Sequence, residues 1–227
     1  MTHAAAGRDE ERLYVYALLA APVAAPARSG IAIEPVGGLF AAVAHPPASS
    51  AVTEAALRRQ HRVVIRLNDA ADGVLPVRFG TVLPRHELER IVGIRRAVLR
   101  GALRRIRGRR QMTVRVHGPA AEGLASIDRR TGAAYLRELA ASSRPLLSKP
   151  ANAIRRAVRP LAKDERIERG RAPVAVVVHH LIPRRGLDRY IRAIEQVMST
   201  LDDAPVVEVA GPFPAFAFVP DLRSDEL

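Results

Sequence analysis

Apolar positions along the chain alternate between a two-residue and a three-to-four-residue repeat, which predicts a mixed fold of strands and amphipathic helices. Leu13 to Leu19 reads as a first strand centred on Tyr14, Val15 and Tyr16. A Pro- and Gly-containing loop follows to Gly30. Ile31–Val36 and Leu39–Ala44 flank Gly37-Gly38, a pair suited to a tight hairpin because glycine tolerates positive φ. His45-Pro46-Pro47 ends the hairpin, and Ser49 or Ser50 can cap a helix running to about Leu67, with Glu54 in its first turn. On that helix Leu57, His61 and Val64 share one face, with Val52, Ala56 and Val63 beside them. Residues 73–82 read as one short strand bracketed by Asp72-Gly73 and Gly80-Thr81. Pro84 then opens a long helix to Ile106. Its predicted apolar face carries Ile91, Ile94, Val98, Ala102 and Ile106, and Arg90, Arg96, Arg100, Arg104 and Arg107 lie opposite.

After Gly108 the pattern starts afresh. Gln111 to His117 alternates cleanly, with Met112, Val114 and Val116 on one side and Thr113, Arg115 and His117 on the other. A helix can begin after Gly123, and a stronger one spans Gly132 to Ser142. A basic stretch punctuated by Pro145, Pro150 and Pro160 predicts one or two further helices, including Ala151 to Val158. Val174 to Val178 is a continuous apolar run, as expected of a central strand. Leu187 to Leu201 is a helix burying Leu187, Ile191, Ile194 and Met198, and a closing strand begins at Val206, Val207 and Val209. Gly211, Pro212 and Pro214 are expected to break regular pairing there. The fold class is α+β in two domains: residues 1–108 with strands, a hairpin and the Arg-rich helix, and residues 109–227 with a ferredoxin-like open sheet and helices on one face. The second carries a basic helical insertion near residues 144–171.

The closing stretch concentrates aromatic residues: three of the five Phe of the chain are Phe213, Phe216 and Phe218. Phe216 and Phe218 point to the same side if the chain stays extended. Two readings of the rings stand, filling the core or docking on a partner. Phe218 is assigned to the core, and Phe213, held between two prolines, is expected to be partly exposed.

Composition narrows the chemistry. Hydrophobic residues make up 48% of 227 positions, enough for a sizeable core, and aromatics only 4%. Cys is absent, which removes disulfides, thiolate metal sites and thiol catalysis. No apolar run approaches the roughly 20 residues of a bilayer span, and the charged start at Arg8–Arg12 has no signal-peptide pattern. Ser224-Asp225-Glu226-Leu227 resembles an ER-retention tail without its Lys and reads as an acidic end. The net charge of +13 comes from two segments, residues 85–110 with ten basic and two acidic side chains and residues 144–171 with nine and three. Such a surface suits an acidic partner or a polyanion.

Candidate chemistry is sparse. No phosphate-binding loop or His-Glu-x-x-His occurs. His179-His180 is the one histidine pair, and neighbours on a strand point to opposite faces, so the two are not placed to share a metal. His61 reads as a hydrogen-bonded core histidine. No enzyme, cofactor or metal is therefore expected. A basic nucleic-acid-binding module is the alternative, weakened because the aromatics lie away from the Arg runs and no RNA-recognition pattern is present.

Several stretches together resemble the GvpL/GvpF family of gas vesicle proteins. They are Leu13-Tyr14-Val15-Tyr16, Gly38–Val43, His61, the stretch from Val74 through Pro76, Arg78, Phe79, Gly80 and Thr81 to Val82, Tyr135-Leu136, and Gly211-Pro212-Phe213-Pro214-Ala215-Phe216-Ala217-Phe218-Val219. Where the family usually has Trp, Pro, Tyr and Ser in the closing motif, this chain has Phe213, Ala215, Phe216 and Ala217. Its rings there can pack but cannot hydrogen-bond. Gln111 stands where the family often has Glu. The resemblance implies two α+β domains, the second a modified ferredoxin fold. It also implies a non-enzymatic structural or assembly component of gas vesicles, in contact with the small hydrophobic shell protein and other accessory proteins, and located at that cytoplasmic organelle. Candidate contact residues are Phe213, Phe216, Arg96, Arg100, Arg104 and Arg107; the remaining motif residues are expected to hold the fold.

Overall fold

The computed structural model describes residues 11–25, 30–48, 51–118, 149–201 and 206–220. It divides into two compact units, one from residues 1–109 together with 213–227 and one from residues 110–212. Residues 213–220, which the sequence places in the second domain, cluster with the first unit.

In the first unit the sheet is ordered β2(Ala32–Val36), β3(Leu39–Ala44), β1(Arg12–Leu19), β4(Val74–Pro76), and β5(Val82–Pro84) also pairs with β1, all antiparallel. Gly37 and Gly38 turn the β2–β3 hairpin at φ +54° and +80°. β1 is central and buried along almost its whole length. Its register against β3 shifts between Val15 and Ala17, so Tyr16 is the extra residue of a bulge. The bulge reverses the alternation: Tyr14, Tyr16, Ala17 and Leu19 all join one core cluster with Val63, Val64 and Leu67 of helix α1(Glu54–Ala70).

Helix α1 is capped by Thr53, whose side chain accepts from the Ala56 N–H at 3.2 Å, where Ser49 or Ser50 is expected; both serines lie outside the described residues. Its buried stripe is Gln60, Val63, Val64, Leu67 and Asn68. That turns the expected face aside: Leu57 is 44% exposed and His61 lies on the surface. The expected helix from Pro84 to Ile106 is two, α2(Arg85–Ile94) and α3(Arg96–Ile106), separated at Arg95. Their buried side is Leu88, Val92, Leu99, Leu103 and Ile106, while Ile94 and Val98 are exposed. At about 100° per residue these five lie within roughly 60° of one another on a single wheel, so the expected face lies one ridge round from the true one and Arg95 does not displace it.

The expected strand over residues 73–82 is interrupted. Ala17 pairs with Pro76 and Tyr14 with Val82. A continuous antiparallel ladder from Ala17–Pro76 would bring residue 79 opposite Tyr14, so three residues are looped out. The Val77 N–H donates to Tyr16 O at 2.9 Å and the Val15 N–H to Thr81 O at 3.0 Å, fixing both ends of the loop to β1.

In the second unit the described order is β6(Arg109–His117), α4(Lys149–Val158), β7(Asp164–Arg169), β8(Val174–Pro183), α5(Leu187–Met198) and β9(Val207–Phe213), with sheet order β7-β8-β6-β9. Met112, Val114, Val116, Val176, Val178 and Ile182 face Ala151, Ile154 and Val158 of α4 and Tyr190 and Ile194 of α5. β7 lies where the basic stretch was expected to be helical. Its sequence Asp-Glu-Arg-Ile-Glu-Arg has one apolar side chain, which suits the edge it occupies and hides the strand period. On α5 it is Tyr190, fully buried, that anchors the core, while Ile191 is 37% exposed. Strand β9 runs on through Gly211 and Pro212 to Phe213, past the expected break. The expected helices after Gly123 and at Gly132–Ser142, the Tyr135-Leu136 match and the acidic end lie outside the described residues.

Candidate functional site

After β9 the chain does not stay extended. Phe216–Phe218 form one turn of 3₁₀-helix, so Phe218 turns inward and Phe216 outward, at 5% and 38% exposure. Phe213 is half-buried, and Pro214 and Ala215 are buried. The expected common side for Phe216 and Phe218 is thus corrected, and Phe216 is the more exposed of the closing rings.

Phe216 lies against His61 with ring centroids 5.8 Å apart and planes 16° from parallel. Phe213 meets the same imidazole edge-on at 6.1 Å. His61 is therefore an exposed ring clasped by two phenylalanines, not the core histidine expected. Beside this clasp opens a cleft of about 700 Å³, lined among others by Leu57, Arg58, Arg62, Arg78, Phe79 and Val219. Two of the stretches that carry the family resemblance, around Pro76–Thr81 and Phe213–Val219, meet here across His61.

The looped-out residues are shaped from beneath. Thr81 closes a turn on Arg78, its N–H at 3.3 Å and its hydroxyl at 2.8 Å from Arg78 O, and Gly80 takes the positive φ of +79° that this turn needs. The Gly80 N–H donates to Tyr14 Oη at 3.2 Å; that hydroxyl donates to Gln60 Oε1, and Gln60 Nε2 donates to Val77 O at 3.0 Å. Tyr14 also packs edge-on against Phe79 at 6.5 Å and beside Tyr16 at 4.8 Å. Gln60 was missed in the sequence; its one signal is a polar residue at a buried position of α1. Tyr14→Phe leaves Gln60 Oε1 buried without its donor, and should lower unfolding free energy by about 1–3 kcal/mol in a urea titration. An unchanged midpoint would remove this hydroxyl as the support of the loop.

None of Arg96, Arg100, Arg104 or Arg107 lines the cleft. Arg100 donates to Gly38 O at 3.0 Å, and the Arg96 side chain lies where a Cβ on Gly38 would come within 3.1 Å of it. These two cover the hairpin turn. Arg107 sits 3.7 Å from Asp72, and Arg104 is exposed. Gly211 and Pro212 belong to β9.

In the second unit His179 and His180 do point to opposite faces. His180 Nδ1 lies 2.7 Å from Tyr190 Oη and its Nε2 3.4 Å from Glu165 Oε2, a carboxylate gripped by Arg155 Nε at 2.7 and 2.8 Å. Burial pushes His180 down to about 4, against the smaller opposing pull of Glu165. His179 Nδ1 is 3.0 Å from Thr113 Oγ1 and 3.2 Å from Gln111 Nε2, and burial lowers its basicity too. Thr113 is only 2% exposed and Gln111 crowds the same ring nitrogen, so the pair lacks the access a nucleophile needs. Among the described residues no group of three or more acidic or histidine side chains is placed to hold a metal, and no helix is long and apolar enough to cross a membrane.

The family model "Gas vesicle synthesis protein GvpL/GvpF" matches residues 12–220. Among solved structures, the gas vesicle protein GvpF from Anabaena sp. PCC7120 superposes with a TM-score of 0.70 at 16% identity, covering 93% of this chain and 99% of that one. GvpF from Microcystis aeruginosa gives 0.68 at 13% identity, covering 92% and 99%. No curated protein sequence matches.

Proposed function

Because the chain belongs to the GvpL/GvpF family of gas vesicle synthesis proteins, we propose that it is an accessory structural or assembly protein of gas vesicles that works by contact and not by catalysis. Its partners in this reading are the small hydrophobic shell protein and other accessory proteins, and its place of action is the gas vesicle. The observation that carries the reading is the meeting of the Pro76–Thr81 loop, His61 and the Phe216 ring at one open cleft. A polymerising shell subunit with large apolar surfaces needs a partner that holds apolar side chains in water-accessible reach. An exposed ring braced by a second aromatic is built for that. The two units are read as the two α+β domains of the family. The strand-helix-strand-strand-helix-strand order of the second, with sheet order β7-β8-β6-β9, supports a ferredoxin-like arrangement. The nucleic-acid alternative has less support, since Arg96 and Arg100 are laid on the hairpin turn.

The test is deletion and complementation in a vesicle-forming host. Loss of the gene should stop or misshape vesicles under electron microscopy, and the wild-type protein should co-purify with shell or accessory proteins. Phe216→Ala, which empties a surface position, should keep the melting temperature but reduce co-purification by about tenfold or more, as expected for a central contact residue. Normal vesicles without the protein would sink the assembly role.

A further inference from the structure

The lining of the cleft says more about its occupant than its shape does. Three arginines, Arg58, Arg62 and Arg78, lie along it, and among the described residues no acidic side chain does. Arg58 is held by Glu54 one turn back on α1. Arg62 and Arg78 have no acidic partner among the described residues, and both are exposed. Between these cations the cleft is apolar: Leu57 is 44% exposed, Phe216 38%, and Val77 and Val219 are half-buried. An apolar floor beside exposed guanidinium groups complements a chain that brings aliphatic side chains and carboxylates together.

We propose that this cleft docks an acidic, aliphatic segment of a partner protein, with its carboxylates on Arg62 and Arg78 and its apolar side chains on Leu57 and Phe216. The proposal rests on the cleft being a partner surface, and it adds the chemistry of what binds there. A single-stranded nucleic acid shares the negative charge but fits less well. It needs open ring faces for base stacking, and here one face each of His61 and Phe216 is taken up by the other at 16°. The aliphatic residues of the floor offer no platform for a base.

Labelled peptides of equal length, titrated into the full chain by fluorescence anisotropy, decide it. A peptide alternating Glu and Leu should bind at least about tenfold tighter than a Gln/Leu or a Glu/Gly peptide, and should weaken as salt rises, because exposed charge pairs are screened. Arg62→Glu with Arg78→Glu should reverse the preference towards a Lys/Leu peptide. Should that double reversal disturb folding, Arg62→Gln with Arg78→Gln should abolish the preference for Glu/Leu over Gln/Leu. Phe216→Ala should weaken the Glu/Leu peptide while leaving its salt dependence in place. Equal binding of the Gln/Leu peptide overturns the proposal, as does tighter binding of a single-stranded oligonucleotide with the same arginine dependence. These outcomes separate from the fate of the assembly role. If vesicle formation depends on the protein and on Phe216 but no acidic preference exists, only the occupant's chemistry fails. If vesicles form without the protein, the assembly role fails whatever the peptides do.

Discussion

Gly211→Ala should destabilise the protein by about 3–5 kcal/mol, the sum of a strained backbone and a forced displacement in a packed strand. Gly211 has φ +130°, where side chains other than hydrogen are rarely accommodated. A Cβ there would also come 2.8 Å from the Gln111 carbonyl oxygen and 2.8 Å from Met112 Sδ. The methionine sulfur can swing aside, but the carbonyl belongs to β6, whose neighbours on both sides are paired. Such a loss is a large part of the 5–15 kcal/mol that holds a typical domain together. Gly80→Ala separates the two causes. Its φ is +79°, yet a Cβ there would meet nothing within 4 Å, so only backbone strain of about 1–2 kcal/mol remains. Guanidinium denaturation of both variants checks the difference. Equal midpoints would mean that close approach to β6 is not what demands glycine at 211.

Acid should weaken the second unit through His180. Burial lowers this imidazole from 6.5 to about 4 in the folded chain, so it is neutral at pH 7. The unfolded chain takes up the proton first as pH falls, and stability must then fall with it. The contribution is fully present above pH 6.5 and is lost progressively as pH drops towards 4. At about 1.4 kcal/mol per pH unit the loss is roughly 3 kcal/mol. Among the described residues Glu165 opposes the shift, Arg155 and His179 reinforce it, and the Tyr190 hydroxyl shares a hydrogen bond with Nδ1. His179 is lowered as well and adds in the same direction. Urea titrations across this interval should show the decline. His180→Gln, less stable at neutral pH, should show a shallower acid limb. A wild-type protein whose stability stays flat down to pH 4 would contradict the buried neutral imidazole.

Local patterns in the sequence foretold local structure well. Gly37-Gly38 predicted the hairpin and its positive φ values, and the alternation of Met112, Val114 and Val116 predicted the side of β6 that meets the helices, although Gln111 and Thr113 opposite are buried as well. What could not be read was set by pairing at a distance. Tyr16 is a bulge because of its register against β3, and nothing in Leu13-Tyr14-Val15-Tyr16 signals it. β7 is a strand because β8 offers it an edge, despite five charged residues out of six. His61 looked like core because Leu57 and Val64 share its helical face; the stripe that meets β1 is one step round, through Gln60. Of the candidate site, both motif stretches were legible as family marks. Their meeting across His61 was not, since residues 61, 78 and 216 are brought together only by the sheet and the closing 3₁₀ turn.

The three residues looped out between β4 and β5 act as a length standard for the chain. Both flanking strands are pinned to β1, so the two ends of the excursion are fixed in place. If that loop kept its three-residue length, one added or deleted residue would have to be taken up within β4 or β5 and would reverse the facing of the side chains beyond it. Val74, buried against the helix α1 side, or Val82, packed at the edge of the same cluster, would then be turned out of the core. Substitution can tune the cleft that this loop borders, whereas a change of length must first be absorbed by the Arg78–Thr81 turn if both strands are to keep their register.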